Sequence, residues 1–540
     1  MNTVQLLDLP DELILAIMKK VNPQVLLLCS MIDIGNNRLE QLAFDRCHSI
    51  DLTFDYLRAP HELFMKRFYS HVMPRISHDV QSLTINLHHI ASIKTFLENN
   101  FNEILPNLTH LKIMLGAKHS KTGIPYTISY FLVNYHMCYP EMRKPLFSIV
   151  PQFFLLPNHG LGKELSTLFR SSLMRFVQSL ELDDNCMLTG ALNDDEFYFP
   201  QAIRLTHIRI SFWTFNQCVH LLIQLGSQLD SFTVTIGTLT EHQHWLISDI
   251  RSISCPNLKQ MTITMYRNFK NYDACISLLQ RLSNVEYLTL LLAIDKTDTT
   301  PDHFIDGFFL EENILRYMPR LRQFNFHIRY ILKNVSHTTI DQIRQSFVKP
   351  QQSFDYVIDH FRNNYMQYQI YSRPFIGTRL DFVSNQFPLF DNNNTFSNVT
   401  ILLLFDDVKP FENVFFERLA RALPRLRTLE IINPLEQREK TVATKTNIVF
   451  THLTVLILYD IHMDYAELFL YEIHLSSLIE LAIDKDILFT IIGQNQQRTS
   501  DNCSRLGIIH TSNPSYESID AIQKFFPRAH YIKHVKDQKQ

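Results

Sequence analysis

The twelve residues Leu423 to Pro434, LPRLRTLEIINP, carry an apolar spacing that recurs along almost the whole chain. Leu426, Leu429 and Ile431 stand at positions one, four and six, with Arg427, Thr428 and Glu430 between them. Alternation puts Leu429 and Ile431 on one face of a short strand, and a preceding bend turns Leu426 into the same core. One such strand cannot bury its apolar face alone, so the pattern demands neighbours of the same kind. The same triplet is found at Cys47/Ile50/Leu52, Val80/Leu83/Ile85, Leu108/Leu111/Ile113, Val177/Leu180/Leu182, Leu205/Ile208/Ile210, Leu229/Phe232/Val234, Leu258/Met261/Ile263, Val285/Leu288/Leu290 and Leu321/Phe324/Phe326. It resumes at Val399/Leu402/Leu404, Leu453/Leu456/Leu458 and Leu478/Leu481/Ile483, with a weak copy at Leu506/Ile509.

Most steps between copies are about 24 to 29 residues, the period of leucine-rich repeats. Between strands the pattern turns helical, as in Ser92 to Phe101, Phe215 to Leu225, Trp245 to Ile253, Tyr272 to Leu282, Phe304 to Tyr317, Val414 to Leu423 and Tyr465 to Ile473. Proline closes many of these helices before the next strand, at Leu105-Pro-Asn, Cys255-Pro-Asn, Met318-Pro-Arg and Leu423-Pro-Arg. The expected fold is an α/β leucine-rich-repeat solenoid of about 13 or 14 irregular repeats over residues 47–540, a horseshoe with a parallel sheet on the concave face and helices on the convex face. Two stretches break the period, 116–176 and 331–395. Both are rich in tyrosine, proline and apolar residues, which reads as folded insertions or degenerate repeats.

A repeat array also removes the limit that length would set. A chain of 540 residues would otherwise divide into several ordinary domains, but each repeat packs only on its neighbours. The apolar fraction of 46% is ample for a continuous core, and a formal net charge of -3 gives no overall field toward nucleic acid or an anionic membrane. The eight cysteines form no CxxC pair, and Cys255 precedes Pro256-Asn257-Leu258 where a small buried side chain is wanted. They read as reduced thiols of an intracellular protein, cytoplasmic and/or nuclear. Asp8, Asp11 and Glu12 occupy positions where a signal peptide needs a basic region, and no apolar run reaches the length of a membrane span.

Residues 1–46 stand outside the repeat. Leu9-Pro10-Asp11-Glu12 opens a helix, with Pro10 suited to its first turn and two carboxylates at its positive end. Leu13, Ile14, Ile17, Met18 and Val21 follow at helical spacing, Asn22-Pro23 stops the helix, and Val25 to Leu28 begins a second apolar run. Such a segment can be a cap that shields the first strand of a repeat array. The stretch LPDELILAIMKKVNPQVLLLCS also resembles an F-box: a Leu-Pro-x-Glu opening, an apolar helix, an Asn-Pro turn and a Leu-rich second helix. With the repeats behind it, the chain resembles F-box/leucine-rich-repeat proteins, substrate receptors of SCF-type cullin-RING ubiquitin ligases. That resemblance implies a three-helix F-box-like module that docks on a Skp-type adaptor, and through it a cullin, by Leu9, Pro10, Leu13, Ile14, Ile17 and Leu26. The chain departs from the family pattern after the second helix, where Met31 to Leu39 lacks the usual tryptophan.

Catalytic signatures are missing. Only 12 glycines leave no phosphate loop, nucleotide fingerprint or GxSxG elbow. His88-His89 and His242-Gln-His244 are the nearest approach to a metal cluster, and neither has the second ligand pair a metal site needs. Asp194-Asp195-Glu196 reads as a solvated loop. No enzyme activity, cofactor or metal is expected, and neither nucleic acid nor membrane as a partner.

The strand positions that point away from the core then suggest where a protein partner would sit. They are mostly polar through Asn325 and His327, and become apolar at Leu403, Phe405, Ile432, Ile457 and Tyr459. Strands about 4.8 Å apart would join these five side chains into one substrate-binding patch with Phe405 and Tyr459 as anchors, unless the 331–395 insertion or the C-terminal tail folds over it. The expected function is that of a non-catalytic substrate-recognition subunit. The alternative is a protein-binding scaffold whose N-terminal helices only cap the repeats.

Overall fold

The computed structural model describes residues 6–21, 24–44, 47–55, 61–86, 89–99, 105–114, 118–119, 165–182, 187–188, 199, 204–238, 246–269, 273–295, 306–333, 341–342, 345–347, 354–387, 396–438, 448–494, 506–511, 526 and 530–531. It is a mixed α/β protein, rich in parallel strands, with no closed barrel among the described residues. The chain divides into two compact units: Met1–Tyr126, Phe153–Met261 and Arg281–Val285 form the first, and Thr127–Gln152, Thr262–Gln280 and Glu286–Gln540 the second. The N-terminal helices belong to the first unit and are not a compact body of their own.

The first unit opens with α1 (Asp11–Met18), α2 (Gln24–Met31) and α3 (Asn37–Phe44). Its strands are β1 (Ser49–Asp51), β2 (Phe54–Asp55), β3 (Ser82–Asn86), β4 (His110–Met114), β5 (Lys118–His119), β6 (Ser179–Leu182), β7 (Met187–Leu188), β8 (His207–Thr214) and β9 (Ser231–Thr238). They pair in parallel in the order β1-β3-β4-β6-β8-β9, with β7 beside β8 and β2 beside β5 in a ribbon of their own. In register, Ile50, Leu83, Leu111, Leu180, Ile208 and Phe232 form one buried row. These are the middle residues of the recurring triplets.

The bends before the strands explain how the period is held. Nδ2 of Asn107 donates to the carbonyl of His78, 29 residues earlier (2.6 Å), Asn257 to Ser227 at 30 residues (2.8 Å), and Asn284 to Pro256 at 28 residues (2.9 Å). A carbonyl exposed where a helix ends must find a donor, and one side chain per repeat supplies it. Helices follow at or near the expected places, with Phe215–Leu225 capped reciprocally by Thr214 and Gln217.

β10 (Gln260–Phe269) straddles the division between the units. In the second unit, β11 (Tyr287–Asp295) and β12 (Gln323–Lys333) still pair in parallel. One uninterrupted parallel sheet was the expectation, and here it fails. β13 (Phe354–His360) and β14 (Tyr365–Ser372) form an antiparallel hairpin whose second strand lies antiparallel against β12. Arg362–Asn364 makes the turn, with Asn364 at φ 59°, a conformation asparagine tolerates better than most. An antiparallel return needs only such a short connection, whereas the parallel repeat needs a crossover helix. The 331–395 stretch is therefore folded, as its composition implies. The triplet beside it is the least enclosed, with Leu321 only half-buried.

A separate parallel sheet follows: β15 (Arg379–Val383), β16 (Ile401–Phe405), β17 (Thr428–Asn433), β18 (Val455–Ile461), β19 (Glu480–Ile483), β20 (Ile508–Thr511) and β21 (His530–Tyr531), in that order. Leu380, Leu402, Leu429, Leu456, Leu481 and Ile509 stand in one buried row. Behind them Phe411, Phe415, Phe416, Tyr465 and Phe469 fill the space up to the helices. Leu478, Leu481 and Ile483 are fully buried, as are Leu453, Leu456 and Leu458, so the triplets do the packing that their spacing implies. Of the 116–176 stretch only 118–119 and 165–176 lie within the described residues, and the tail after Tyr531 lies outside them.

Candidate functional site

The N-terminal helices present one side to the molecule and one to solvent. Ile14 and Met18 of α1 are buried, together with Val25, Leu27, Leu28 and Cys29 of α2 and Leu39 and Leu42 of α3. The opposite face of α1 shows Leu13 51% exposed and Ile17 46%, flanked by exposed Leu6, Leu7 and Val21. Of the residues expected to meet an adaptor, Leu13, Ile17 and Pro10 are exposed, and Leu9 and Leu26 are half-buried. Ile14 is a correction: it is fully buried and holds the helix to its neighbours. Pro10 precedes the first helical residue, and Asp11 and Glu12 occupy the first turn.

Arg38 of α3 braces this opening, a role the sequence reading missed. Its guanidinium donates to the backbone carbonyls of Leu7 (2.7 Å) and Leu9 (2.8 Å) and to the carboxylate of Asp11 (2.8 Å). It thereby fixes the Leu9-Pro10 segment from within the stretch that lacks the family's tryptophan. The signal was an arginine one helix away from an unpaired Asp at a helix start, which is too common to single out.

The apolar patch expected on the second sheet is closed. Leu403 is 0% exposed, Phe405 2% and Ile432 1%, because Phe361 from the β13–β14 turn and Phe382 of β15 pack on them, with Tyr365 at the edge. The ring of Phe361 meets Phe405 edge-on at 5.2 Å and Phe382 does so at 5.8 Å. Ile457 is also buried, against Val455 and Ala482, and Tyr459 is half-buried beside them. Four of the five residues are thus core. The 331–395 insertion supplies the cover.

Beside this closed patch lies a polar cleft wholly within the second unit. It is lined by Met265, Leu291, Leu292 and Ala293 on one side and by His327, Arg329, Arg379 and Asp381 on the other, and encloses about 20 Å³. Register places Leu291 opposite His327 and Ala293 opposite Arg329, and next Arg329 opposite Gln369, so these side chains share one face. The bulge between Leu380 and Val383 puts Phe382 at φ 56°, a strained conformation for a bulky residue. Its ring lies under the Arg329 guanidinium at 4.7 Å. Nε of Arg379 donates to both carboxylate oxygens of Asp381, at 2.8 and 2.9 Å.

Burial dominates the electrostatics here. The His327 ring donates from Nε2 to Oε1 of Gln369 (2.9 Å), yet loss of water around it and the nearby Arg329 charge lower its pKa to about 4, so it is neutral at pH 7. Burial lowers Arg329 to about 10, which still leaves a cation. Glu430, half-buried on β17, is pushed up to about 7 by loss of hydration, opposed by Arg379 and reinforced by Asp381. Asp359, buried behind the cleft, is raised to about 6 for the same first reason while accepting hydrogen bonds from Ser384 and Gln367.

No group of three or more His, Cys, Asp or Glu among the described residues is arranged to hold a metal ion. His89 is buried with Nδ1 3.4 Å from the Tyr69 hydroxyl, whereas His88, His242, His244 and Asp194–Glu196 lie outside the described residues. Cys29, Cys47, Cys218, Cys255 and Cys275 are buried free thiols, and burial holds Cys29, Cys255 and Cys275 up at about 12, so none is an available nucleophile. No described helix is long and apolar enough to cross a membrane. No protein family and no curated protein matches the chain.

Proposed function

We propose that the chain is a non-catalytic substrate receptor of an SCF-type ubiquitin ligase, with residues 1–46 acting as an F-box-like module on a Skp-type adaptor and the leucine-rich repeats holding a protein substrate. The observation that carries this reading is the two-sided α1: Ile14 and Met18 anchor it while Leu13 and Ile17 stand exposed beside Leu6, Leu7 and Val21. A contiguous exposed apolar face on a short helical module is what a partner's helical surface covers. Burying each such side chain is worth on the order of 1.5–3 kcal/mol, enough for five of them to sustain a stable complex after the costs of association. A receptor of this kind performs no chemistry; it raises the local concentration of its substrate near the catalytic subunits.

A cap role has its own support. α2 lies against the first strand, Nε2 of Gln24 donates to Sγ of Cys47 (3.9 Å), and Cys29 Sγ donates to the carbonyl of Phe64 (3.9 Å). Capping buries the inner side of the helices and leaves the outer side of α1 unexplained, so the two roles coexist. The test is co-elution of the full chain with purified Skp-type adaptor in size-exclusion chromatography, beside a Leu13→Asp/Ile17→Asp variant. Co-elution that the variant loses, with an unchanged melting temperature, supports the receptor. Absence of a complex with the folded wild-type chain leaves the scaffold reading.

A further inference from the structure

The cleft of the second unit has a charge balance unlike an ordinary core. Arg329 is 3% exposed and Arg379 7%, and between them Asp381 is the carboxylate within reach, bound by Arg379 alone through both oxygens. Glu430 on the neighbouring strand is the other acid that acts on Arg379, and its hydration loss leaves it only partly ionised near neutral pH. His327 adds no charge. Two guanidinium groups therefore face between one and two negative charges in a water-poor setting, where a missing counter-charge costs several kcal/mol.

Shape narrows what can supply it. About 20 Å³ holds one or two oxygen-sized centres, which suits the planar, two-oxygen end of a carboxylate and excludes a whole small molecule. A tetrahedral phosphate, with three terminal oxygens, exceeds it. Guanidinium forks match carboxylates in plane and spacing. The opposite wall, Met265, Leu291 and Ala293, is apolar and suits the methylenes or the neighbouring apolar side chain that would accompany the acid.

We infer that this cleft is a carboxylate-reading subsite that takes an acidic side chain, flanked by apolar residues, from a peptide segment of a protein partner. The partner's identity as a substrate rests on the receptor reading above, but the cleft itself does not. Arg329 is already oriented by the Phe382 ring and Arg379 by Asp381, so binding orders little that is not ordered beforehand. The closed aromatic cluster next to it keeps the two strands of the wall fixed.

The test uses the full chain and two fluorescein-labelled hexapeptides, one of alternating Leu and Glu and one of alternating Leu and Gln, followed by fluorescence anisotropy at low and physiological salt. The glutamate peptide should bind at least about tenfold more tightly than its glutamine counterpart. Leu291→Glu, a substitution at a half-buried wall position that sets an internal carboxylate in the cleft, should remove that preference while the protein still melts as the parent does. Arg329→Gln should reduce the preference in the same direction. Equal binding of the two peptides, no saturable binding of either, or a preference that survives Leu291→Glu would overturn the inference. Leu13→Asp/Ile17→Asp serves as the separating control: it should leave the peptide preference intact while abolishing adaptor co-elution, so the subsite and the receptor reading fail independently.

Discussion

Two apolar patches stand out in this sequence, one on the first helix and one on strands β16 to β18, and the fold treats them in opposite ways. Around α1 the outer residues Leu13 and Ile17 remain open, while Leu403, Phe405 and Ile432 are sealed under Phe361, Phe382 and Tyr365. Both patches look the same in a list of residue types. What separates them is whether another part of the chain can reach over, and only the β13–β14 hairpin does so. An apolar face at regular spacing thus identifies a surface that must be covered, and the topology decides whether the cover is internal.

The strongest test of that contrast is truncation of the cover. Phe405→Ala or Phe361→Ala should cost on the order of 3–5 kcal/mol, the loss expected for a buried aromatic ring, read as a lowered urea midpoint with unchanged slope. A cost below about 1 kcal/mol would mean that the patch is open. On the other side of the comparison, Leu13→Asp/Ile17→Asp should shift stability by no more than about 0.5 kcal/mol per substitution, because both side chains already sit in water.

Acid should sharpen the difference between the two regions, since the perturbed groups cluster around the cleft. Folded Asp359 and Glu430 hold protons up to about 6 and about 7, above the range of the unfolded carboxylates, so the folded state binds more protons and gains stability as pH falls from about 7 toward about 4. His327, lowered to about 4, acts oppositely: the folded state loses stability as pH falls below the ordinary imidazole range. The Asp359→Asn/Glu430→Gln variant should lose the gain and keep the loss, a relative change on the order of 2 kcal/mol between pH 7 and pH 5. Denaturant midpoints at the two pH values check this, and parallel curves for variant and parent would contradict it.

The smallest effect is expected at Arg38, whose side chain is half exposed and whose ion pair with Asp11 is screened. Arg38→Ala should cost about 1 kcal/mol or less, yet it frees the Leu7 and Leu9 carbonyls and should weaken adaptor binding more than stability. An unaltered affinity would show that the Leu9-Pro10 segment needs no brace.

The triplets were legible because burial leaves them no freedom: a residue such as Leu429 or Leu456 must be apolar, and its neighbours in register must match. Phe215–Leu225 was equally clear from its apolar period and its Thr214/Gln217 start. The hairpin was not. Residues 354–372 carry neither the triplet nor a glycine turn, and their strands are buried on both faces, which erases the alternation that marks a half-buried strand. The cleft was hidden for a different reason. It depends on a bulge at Phe382, and a positive φ at phenylalanine leaves no trace in sequence, where glycine or asparagine would have signalled it. Arg38 acts across two helices and its partners are backbone carbonyls, which no side-chain pattern records.

The contrast between the patches can be measured in one experiment. Leu13→Cys and Leu403→Cys are made in the full chain, and maleimide labelling of each new thiol is followed by peptide mass spectrometry, with and without Skp-type adaptor. The expected result is rapid labelling of Leu13→Cys, its suppression by the adaptor, and no labelling of Leu403→Cys until the protein unfolds. Labelling of Leu13→Cys that the adaptor leaves unchanged, or a Leu403→Cys thiol that reacts in the native state, would contradict it.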